Sequence, residues 1–471
     1  MLFNSLEFLI FFIVVTTLYY IFPYKWRWLL LLIASSIFYM ALIPAYILIL
    51  LGIIIIDYTA AFYIEKAEGS KRKLYLLLSI CANLGVLGLF KYFHLFARVM
   101  DYLSVHYHLT VQPLSYINII LPLGLSFHTF QSMSYTIEVY RGHYKAERHF
   151  GFYALYVMFY PQLVAGPIER PKNLLPQLHL SIPFKYENLW QGLRLMLWGL
   201  FKKVVIADRI VGYVNPIFNH PGDYHNLQVL AGVLAFTIQI YCDFSGYSDI
   251  AIGAARCMGF DLMVNFRRPY FAANIRDFWS RWHISLSTWF RDYVYIPLGG
   301  NRNGSAQLYL NILLVFVLSG IWHGTNRIFI AWGFIHACYF IIYLSLSGFL
   351  KKFNSILWRI LGWALTFSAV ALAWIFFRAE NISTANIILS KIFAADKEFY
   401  VFTSLEYFKN FSILISILTC IYMLVIESIV DPKMKWFDDR SRADMLFCGF
   451  TSFLILSFGV FEHQTFIYFQ F

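Results

Sequence analysis

Apolar residues occur along this chain in runs of about twenty, separated by short basic or polar interruptions, which is the spacing of helices that cross a bilayer. The first run, 2–22, ends at PYKWRW. A longer stretch over 28–64 is broken near Ile43–Pro44 and divides into two spans, because proline removes a helical donor and clashes with the preceding turn. EKAEGSKRK follows, then a span over 74–93, a loop carrying His94, His106 and His108, and a fifth span over 117–139 that ends at YRGHYKAERHF. With these divisions the basic loops at 25–27, 66–73 and 141–148 fall on one side. The excess of Lys and Arg in cytoplasmic loops assigns that side to the cytoplasm and the N-terminus to the outside.

Beyond residue 150 the runs are less regular. Residues 151–164 are few for a crossing and end in YPQLVAGPIERPK, where a Gly-Pro pair breaks any helix. Residues 188–218 read as an amphipathic helix, with Arg194, Lys202, Lys203, Asp208 and Arg209 among Trp and Leu, suited to the membrane interface. Val229–Cys257 is a span containing YCDFSGYSD. Further apolar segments cover 308–322, 328–347, 356–377, 411–430 and 445–469, with the longest late polar gap at 379–409. The expected fold is an all-α, polytopic integral membrane protein, one domain over 1–471, with about 11 transmembrane helices plus interfacial and re-entrant helices. No internal repeat and no alternating strand pattern of a membrane barrel is present. The first run carries Glu7 and lacks a signal-peptide cleavage pattern, so it is expected to be retained.

Composition agrees: 60% of the 471 residues are hydrophobic and 13% charged, against about 25% charged in soluble domains. The formal net charge of +11 reflects basic cytoplasmic loops rather than nucleic-acid binding. Six cysteines (81, 242, 257, 338, 420 and 448) lie in apolar surroundings without CxxC or Cys/His zinc spacing, so they read as buried small hydrophobes and no metal is expected.

Against this apolar background residues 265–336 are anomalous: NFRRPYFAANIRDFWSRWHISLSTWFRDYVYIPLGGNRNG, an apolar run, then LSGIWHGTNRIFIAWGFIH. Ionisable groups at membrane depth line a cavity or pathway by default. Read as one helix over 274–293, the segment puts Arg276, Ser280, His283, Ser287 and Arg291 on one face. That face is either the lining of a wet passage with His283 at its centre or the solvated side of an interfacial helix. His323 lies between Gly320 and Gly324 and precedes Thr325, Asn326 and Arg327, at the end of a run barely long enough to cross. This predicts a helix break, tolerated at depth only inside protein or beside a cavity. A neutral imidazole there is a natural general base near physiological pH, or else a core histidine satisfied by a carbonyl. His336, on the next span, reads as structural.

Arg267, Arg268, Arg276, Arg281, Arg291 and Arg302 form a basic rim that fits the phosphates of an anionic donor, lipid headgroups, or pairing with Asp277 and Asp292. LGGNRNG matches neither GxGxxG nor GxxxxGK[ST]. Asp243, Ser245 and Asp249 suggest an ion-coupling site or, better, a structural pair with an Arg of the 265–302 region. His128, Gln131 and Gln162 read as interhelical hydrogen bonds. No GxSxG occurs, so a covalent serine mechanism has no support.

PLGLSFHTFQSMSYTIEVYRG, YPQLVAGPIERP, QIYCDFSGYSDIAIGAARCMGF, the 265–302 run and LSGIWHGTN resemble the membrane-bound O-acyltransferase family. The likeness covers nearly the whole chain and is greatest to the bacterial branch that O-acetylates alginate or peptidoglycan, which MLFNSLEFLIFF and IYFQF at the two ends also resemble. The resemblance implies slanted helices around a central funnel that narrows to a tunnel. It implies that His323 is the family's near-universal catalytic histidine and His283 its second, more variable polar position. It implies transfer of acetyl from a cytoplasmic thioester, acetyl-CoA, with no bound cofactor. The acetyl group would pass outward to an SGNH-type acetyltransferase partner and onto a polysaccharide hydroxyl, in a bacterial inner membrane among its lipids. On this reading Arg276, Arg281, Arg291 and Arg302 bind the donor, and Ser280, Ser287 and Asn326 line the tunnel. The alternatives are a D-alanyl transferase for teichoic acid fed by a carrier-protein thioester, a transporter or channel coupled through Asp243 and Asp249, and a passive scaffold.

Overall fold

A computed structural model of the protein describes residues 1–41, 43–107, 122, 124–164, 166–350, 355–394, 411–429, 441–461 and 467. Among the described residues there is no strand. Six helices are long and apolar enough to cross a membrane (Pro44–Lys66, Gly69–Phe93, Asn226–Cys257, Gly304–His323, Arg327–Leu350 and Ile356–Arg378), and shorter apolar helices lie at Leu6–Ile21, Ile382–Phe393 and Ile413–Ile429. The chain is therefore an all-α, multi-pass membrane protein, whose helices satisfy their own backbone groups where water is absent.

The chain divides into two compact units. The first comprises Met1–Leu2, Leu6–Leu189 and Ala254–Met263. It contains α1 (Leu6–Ile21), α2 (Tyr24–Met40), α3 (Ile47–Lys66), α4 (Gly69–His106), α5 (Leu125–Tyr140), α6 (Phe150–Met158), α7 (Tyr160–Leu163) and α8 (Pro171–Leu178). A single 3-10 turn, Pro44–Tyr46, separates α2 from α3 at the expected proline break. α4 runs on to His106, so the loop expected to carry His94 and His106 is helix. His108 and residues 117–121 of the expected fifth span lie outside the described residues. The short run after residue 150 forms two helices, divided at Phe159 (φ −51°, ψ 111°).

Polar contacts fasten this unit internally. Asp57 on α3 accepts from Ser79 Oγ (2.6 Å) and Asn83 Nδ2 (2.9 and 2.8 Å) on α4, and from Ser132 on α5. Gln131 and Gln162 both donate to Tyr156 O at 2.6 Å, whereas His128 is buried with no hydrogen bond among the described residues, contrary to expectation. The three basic loops converge. Arg148 pairs with Glu65 (2.6 Å), Arg72 donates to Val139 O (3.2 Å), and the ring of His149 meets Trp28 at 4.8 Å.

The second unit comprises Phe3–Ser5, Trp190–Gly253 and Val264–Phe471. It holds α9 (Tyr186–Leu200) from Trp190 onward, a π-helical turn at Phe201–Ala207, α10 (Asp208–Asn219) and α11 (Asn226–Cys257) as far as Gly253. Then come α12 (Ile275–Arg281), α13 (Ile284–Phe290), α14 (Gly304–His323), α15 (Arg327–Leu350), α16 (Ile356–Arg378), α17 (Ile382–Phe393), α18 (Phe411–Ile429) and α19 (Arg442–Phe458). α17 fills the first part of the polar gap expected at 379–409, and residues 395–410 lie outside the described set. So do 462–466, within the run read to 469, and all of IYFQF except Ile467.

The segment expected to lie as an amphipathic interface helix over 188–218 instead turns its charges inward. Arg194 meets Asp444 of α19 at 2.7 Å with side chains 3% and 0% exposed. Lys202 meets Asp249 (2.6 Å), and Lys203 meets both Asp208 (2.6 Å) and Asp243 (2.7 Å). Asp243 and Asp249 are thus paired with lysines of the π-helical turn, not with an Arg of the 265–302 region. A buried charge persists only with a partner, and here the partners come from elements remote in sequence, which periodicity cannot link. Close approach of α9 and α11 makes this possible. A Cβ on Gly199 would lie 2.5 Å from Gly246 O, and one on Gly246 would lie 2.7 Å from Gly199 O. Of the cysteines, Cys242 and Cys257 are buried as small hydrophobes, but Cys81 is exposed and Cys338, Cys420 and Cys448 partly so.

Candidate active site

α12 begins at Asn274, whose side chain caps it by accepting from Asp277 N (2.9 Å). It ends at Trp282, which is extended (φ −98°, ψ 127°), and His283 then takes the left-handed conformation (φ 42°, ψ 55°) before α13 starts. Among the described residues only Arg268 shares a positive φ without being glycine. Such backbone is worth about 1–3 kcal/mol of strain and persists where its surroundings over-determine it, often at functional sites. Here an extended stretch supplies the constraint: Ile284 N donates to Asn265 O (2.9 Å) and Arg267 N to Arg281 O (3.0 Å). The single helix expected over 274–293 is therefore corrected to two seven-residue helices and a π-helical turn, Arg291–Tyr295. Arg276, Ser280, His283, Ser287 and Arg291 do not share one helical face, because the break resets the helical phase.

His283 is buried, and its Nδ1 lies 2.9 Å from Asn265 Oδ1. Asn265 Nδ2 donates to Ser248 Oγ (3.2 Å), while its Oδ1 also accepts from Ser285 Oγ (3.0 Å). Oδ1 is thus the acceptor, so Nδ1 carries the imidazole proton and Nε2 keeps its lone pair. Burial pushes the imidazole down to about 3, which leaves it neutral at working pH. Its ring stands edge-on to Phe244 at 4.6 Å.

His323 is the last residue of α14, and Gly324 after it is extended (φ −166°, ψ 167°). The helix ends where α15 comes close: a Cβ on Gly320 would lie 2.2 Å from Phe329 O. The imidazole is walled by rings, Trp322 at 4.9 Å, Trp332 at 5.1 Å and Phe377 at 5.1 Å. Trp322 also meets the ring of His283 at 6.4 Å, so one indole touches both imidazoles. On the other side Trp332 meets His336 at 5.0 Å, and Trp279 meets His336 at 5.0 Å. His336 is fully buried, with neither ring nitrogen hydrogen-bonded among the described residues.

The remaining candidates bond to other groups or face outward. Arg281 Nε donates to Asp277 Oδ1 and Arg291 Nε to Asp292 Oδ1, both at 2.8 Å, so two of the four arginines engage their own neighbours. Arg276 and Arg302 are exposed. Ser280 is exposed and donates to Asp277 O (2.7 Å), and Ser287 donates to Trp282 O (3.1 Å). Asn326 is exposed, donates to Glu380 O (2.6 Å) and accepts from Ile328 N (3.2 Å) at the start of α15. Asn265 and the bridging tryptophans escaped the sequence reading. The one available signal was an Asn standing before FRRP.

The model of MBOAT, the membrane-bound O-acyltransferase family, matches residues 148–383. The chain is 38% identical over 403 residues to a probable alginate O-acetylase AlgI of Pseudomonas putida, covering 84% of this chain and 80% of that protein. It is 35% identical over 396 residues to a peptidoglycan O-acetyltransferase of Helicobacter pylori, covering 78% of this chain and 73% of that protein. It is 30% identical over 249 residues to a teichoic acid D-alanyltransferase of Bacillus subtilis, covering 50% of this chain and 61% of that protein.

Proposed function

This chain belongs to the membrane-bound O-acyltransferase family, and on that footing we propose that it takes acetyl from acetyl-CoA at the inner face of a bacterial plasma membrane. The N-terminus lies outside, and the acetyl group leaves toward the outer face for an SGNH-type partner and a polysaccharide hydroxyl of the alginate or peptidoglycan kind. His323 removes the proton from the acceptor hydroxyl as its oxygen attacks the thioester carbonyl carbon. The C–O bond forms, the C–S bond breaks, and the imidazolium returns its proton to the departing thiolate. General-base help of this kind is worth about 10²–10⁴-fold. His283, whose Nδ1–H donates to Asn265 Oδ1, offers Nε2 to orient the hydroxyl. Arg276, Arg281, Arg291 and Arg302 hold the phosphates of the donor, and Ser280, Ser287 and Asn326 line its approach, within a single functional domain over 1–471.

The observation that carries this reading is the meeting of two histidines, remote in sequence, at one indole, each at the end of a broken helix. Purified protein given labelled acetyl-CoA and an acceptor should release acetyl. A full rate in His323→Ala would sink the assignment. The similarity to a teichoic acid D-alanyltransferase favours one second reading, a D-alanyl thioester on a carrier protein. Activity with a charged phosphopantetheine carrier and none with acetyl-CoA would select it.

A further inference from the structure

A cavity of about 270 Å³ opens on the first unit, where α1 ends and α2 begins. Its rim carries Tyr24, Lys25, Arg27 and His179, and its floor is apolar, made by the buried Leu31, Leu155 and Leu178. Arg27 is held in place: Nη1 donates to Ile182 O (2.7 Å), Nε donates to Phe22 O (3.2 Å), and the guanidinium lies 4.8 Å over the Tyr19 ring. Neither Lys25 nor Arg27 is paired with a carboxylate among the described residues. The carboxylate of Glu147 is occupied by His179 Nε2 (2.9 Å) and by His149 N (2.9 Å). No side chain caps the N-terminus of α2 at Pro23, so the positive end of a 17-residue helix adds to the two cations.

The surroundings identify what could reach such a site. Ile21, Phe22, Trp26, Leu180 and Phe184 are exposed beside it. Aromatic and basic residues mixed in this way mark the headgroup level of a bilayer. The cavity also shares the side on which the loops at 66–73 and 141–148 converge. Basic pockets between membrane helices on such a side accept anionic lipid headgroups, and a fixed guanidinium suits a phosphate better than a mobile ammonium does.

We propose that this cavity seats the phosphate of an anionic phospholipid, between Arg27, Lys25 and the start of α2, with the acyl chains running over the exposed apolar residues beside it. The site is independent of the acetyl-transfer chemistry. The test is native mass spectrometry on the full-length protein titrated with phosphatidylglycerol or with phosphatidylcholine of the same chains. Phosphatidylglycerol should be retained preferentially, and the double variant Lys25→Gln, Arg27→Gln should retain it about tenfold less well. Arg27 also ties two backbone carbonyls, so Lys25→Glu, at an exposed position, provides the variant that keeps the fold and should weaken retention several-fold. Equal retention by Lys25→Glu, or equal retention of phosphatidylcholine, would overturn the proposal. Displacement of the lipid by inorganic phosphate or pyrophosphate would reassign the site to a soluble phosphate compound and overturn the lipid assignment.

Discussion

Among the described residues of the second unit, two groups of buried ionisable side chains are held in opposite ways. Around the π-helical turn every lysine meets a carboxylate: Lys202 with Asp249, Lys203 with Asp208 and Asp243, and nearby Arg194 with Asp444. Around His283 and His323 aromatic rings crowd the imidazoles, and His283 Nδ1 meets the neutral amide of Asn265. A full charge in a low-dielectric interior must be paired, and breaking the pair strands the remaining charge. A neutral imidazole such as that of His283 needs no counter-charge, so rings and an amide can hold it. Pairing makes the first region a clamp between helices, and two imidazoles meeting one indole make the second a candidate for chemistry.

Substitutions should separate the two regions, and the largest contrast is in activity. His323→Ala should lower acetyl transfer by about 10²–10⁴-fold while leaving the thermal unfolding midpoint close to that of the parent. Lys203→Met should do the reverse. It strands Asp208 and Asp243 without their partner, and the expected loss is about 3–5 kcal/mol, seen as a lowered unfolding midpoint in detergent. If both variants lost activity and stability together, the two regions would not differ in kind.

A finer contrast lies inside the histidine site. Asn265→Ala removes the acceptor that fixes the proton on His283 Nδ1, and a lost hydrogen bond of about 1.4 kcal/mol corresponds to roughly tenfold in rate. The expected result is a lower kcat, with Asn265→Asp restoring part of it because its oxygen still accepts. A structural role alone would give no such recovery.

The smallest effect is in pH. Burial and the neighbouring Asp243 push the Asp208 carboxyl up to about 7, against the opposing pull of Lys203. A carboxyl whose folded value is raised binds its proton more tightly in the native state. Its stabilising contribution is full below the unfolded value, 3.8, and is lost as pH rises through about 7. The unfolding midpoint should therefore fall modestly between pH 6 and pH 8, and Asp208→Asn should flatten that slope. A midpoint that rises over the same interval in the parent would contradict the assignment.

The sequence by itself determined the class of the molecule. Runs of twenty apolar residues can only be helices in lipid, and the Ile43–Pro44 break and the end of α14 at His323 followed from local chemistry. Motif content sufficed for the family. What the tertiary structure decided was everything that depends on backbone or charge partners remote in sequence. The helix expected over 274–293 breaks because Asn265 and Arg267 take up its backbone groups. The charged face expected at an interface is buried because α11 and α19 bring it carboxylates. Periodicity reports one element's own repeat, whereas strain and burial are settled by the neighbour that compensates them, and only the folded chain supplies that neighbour.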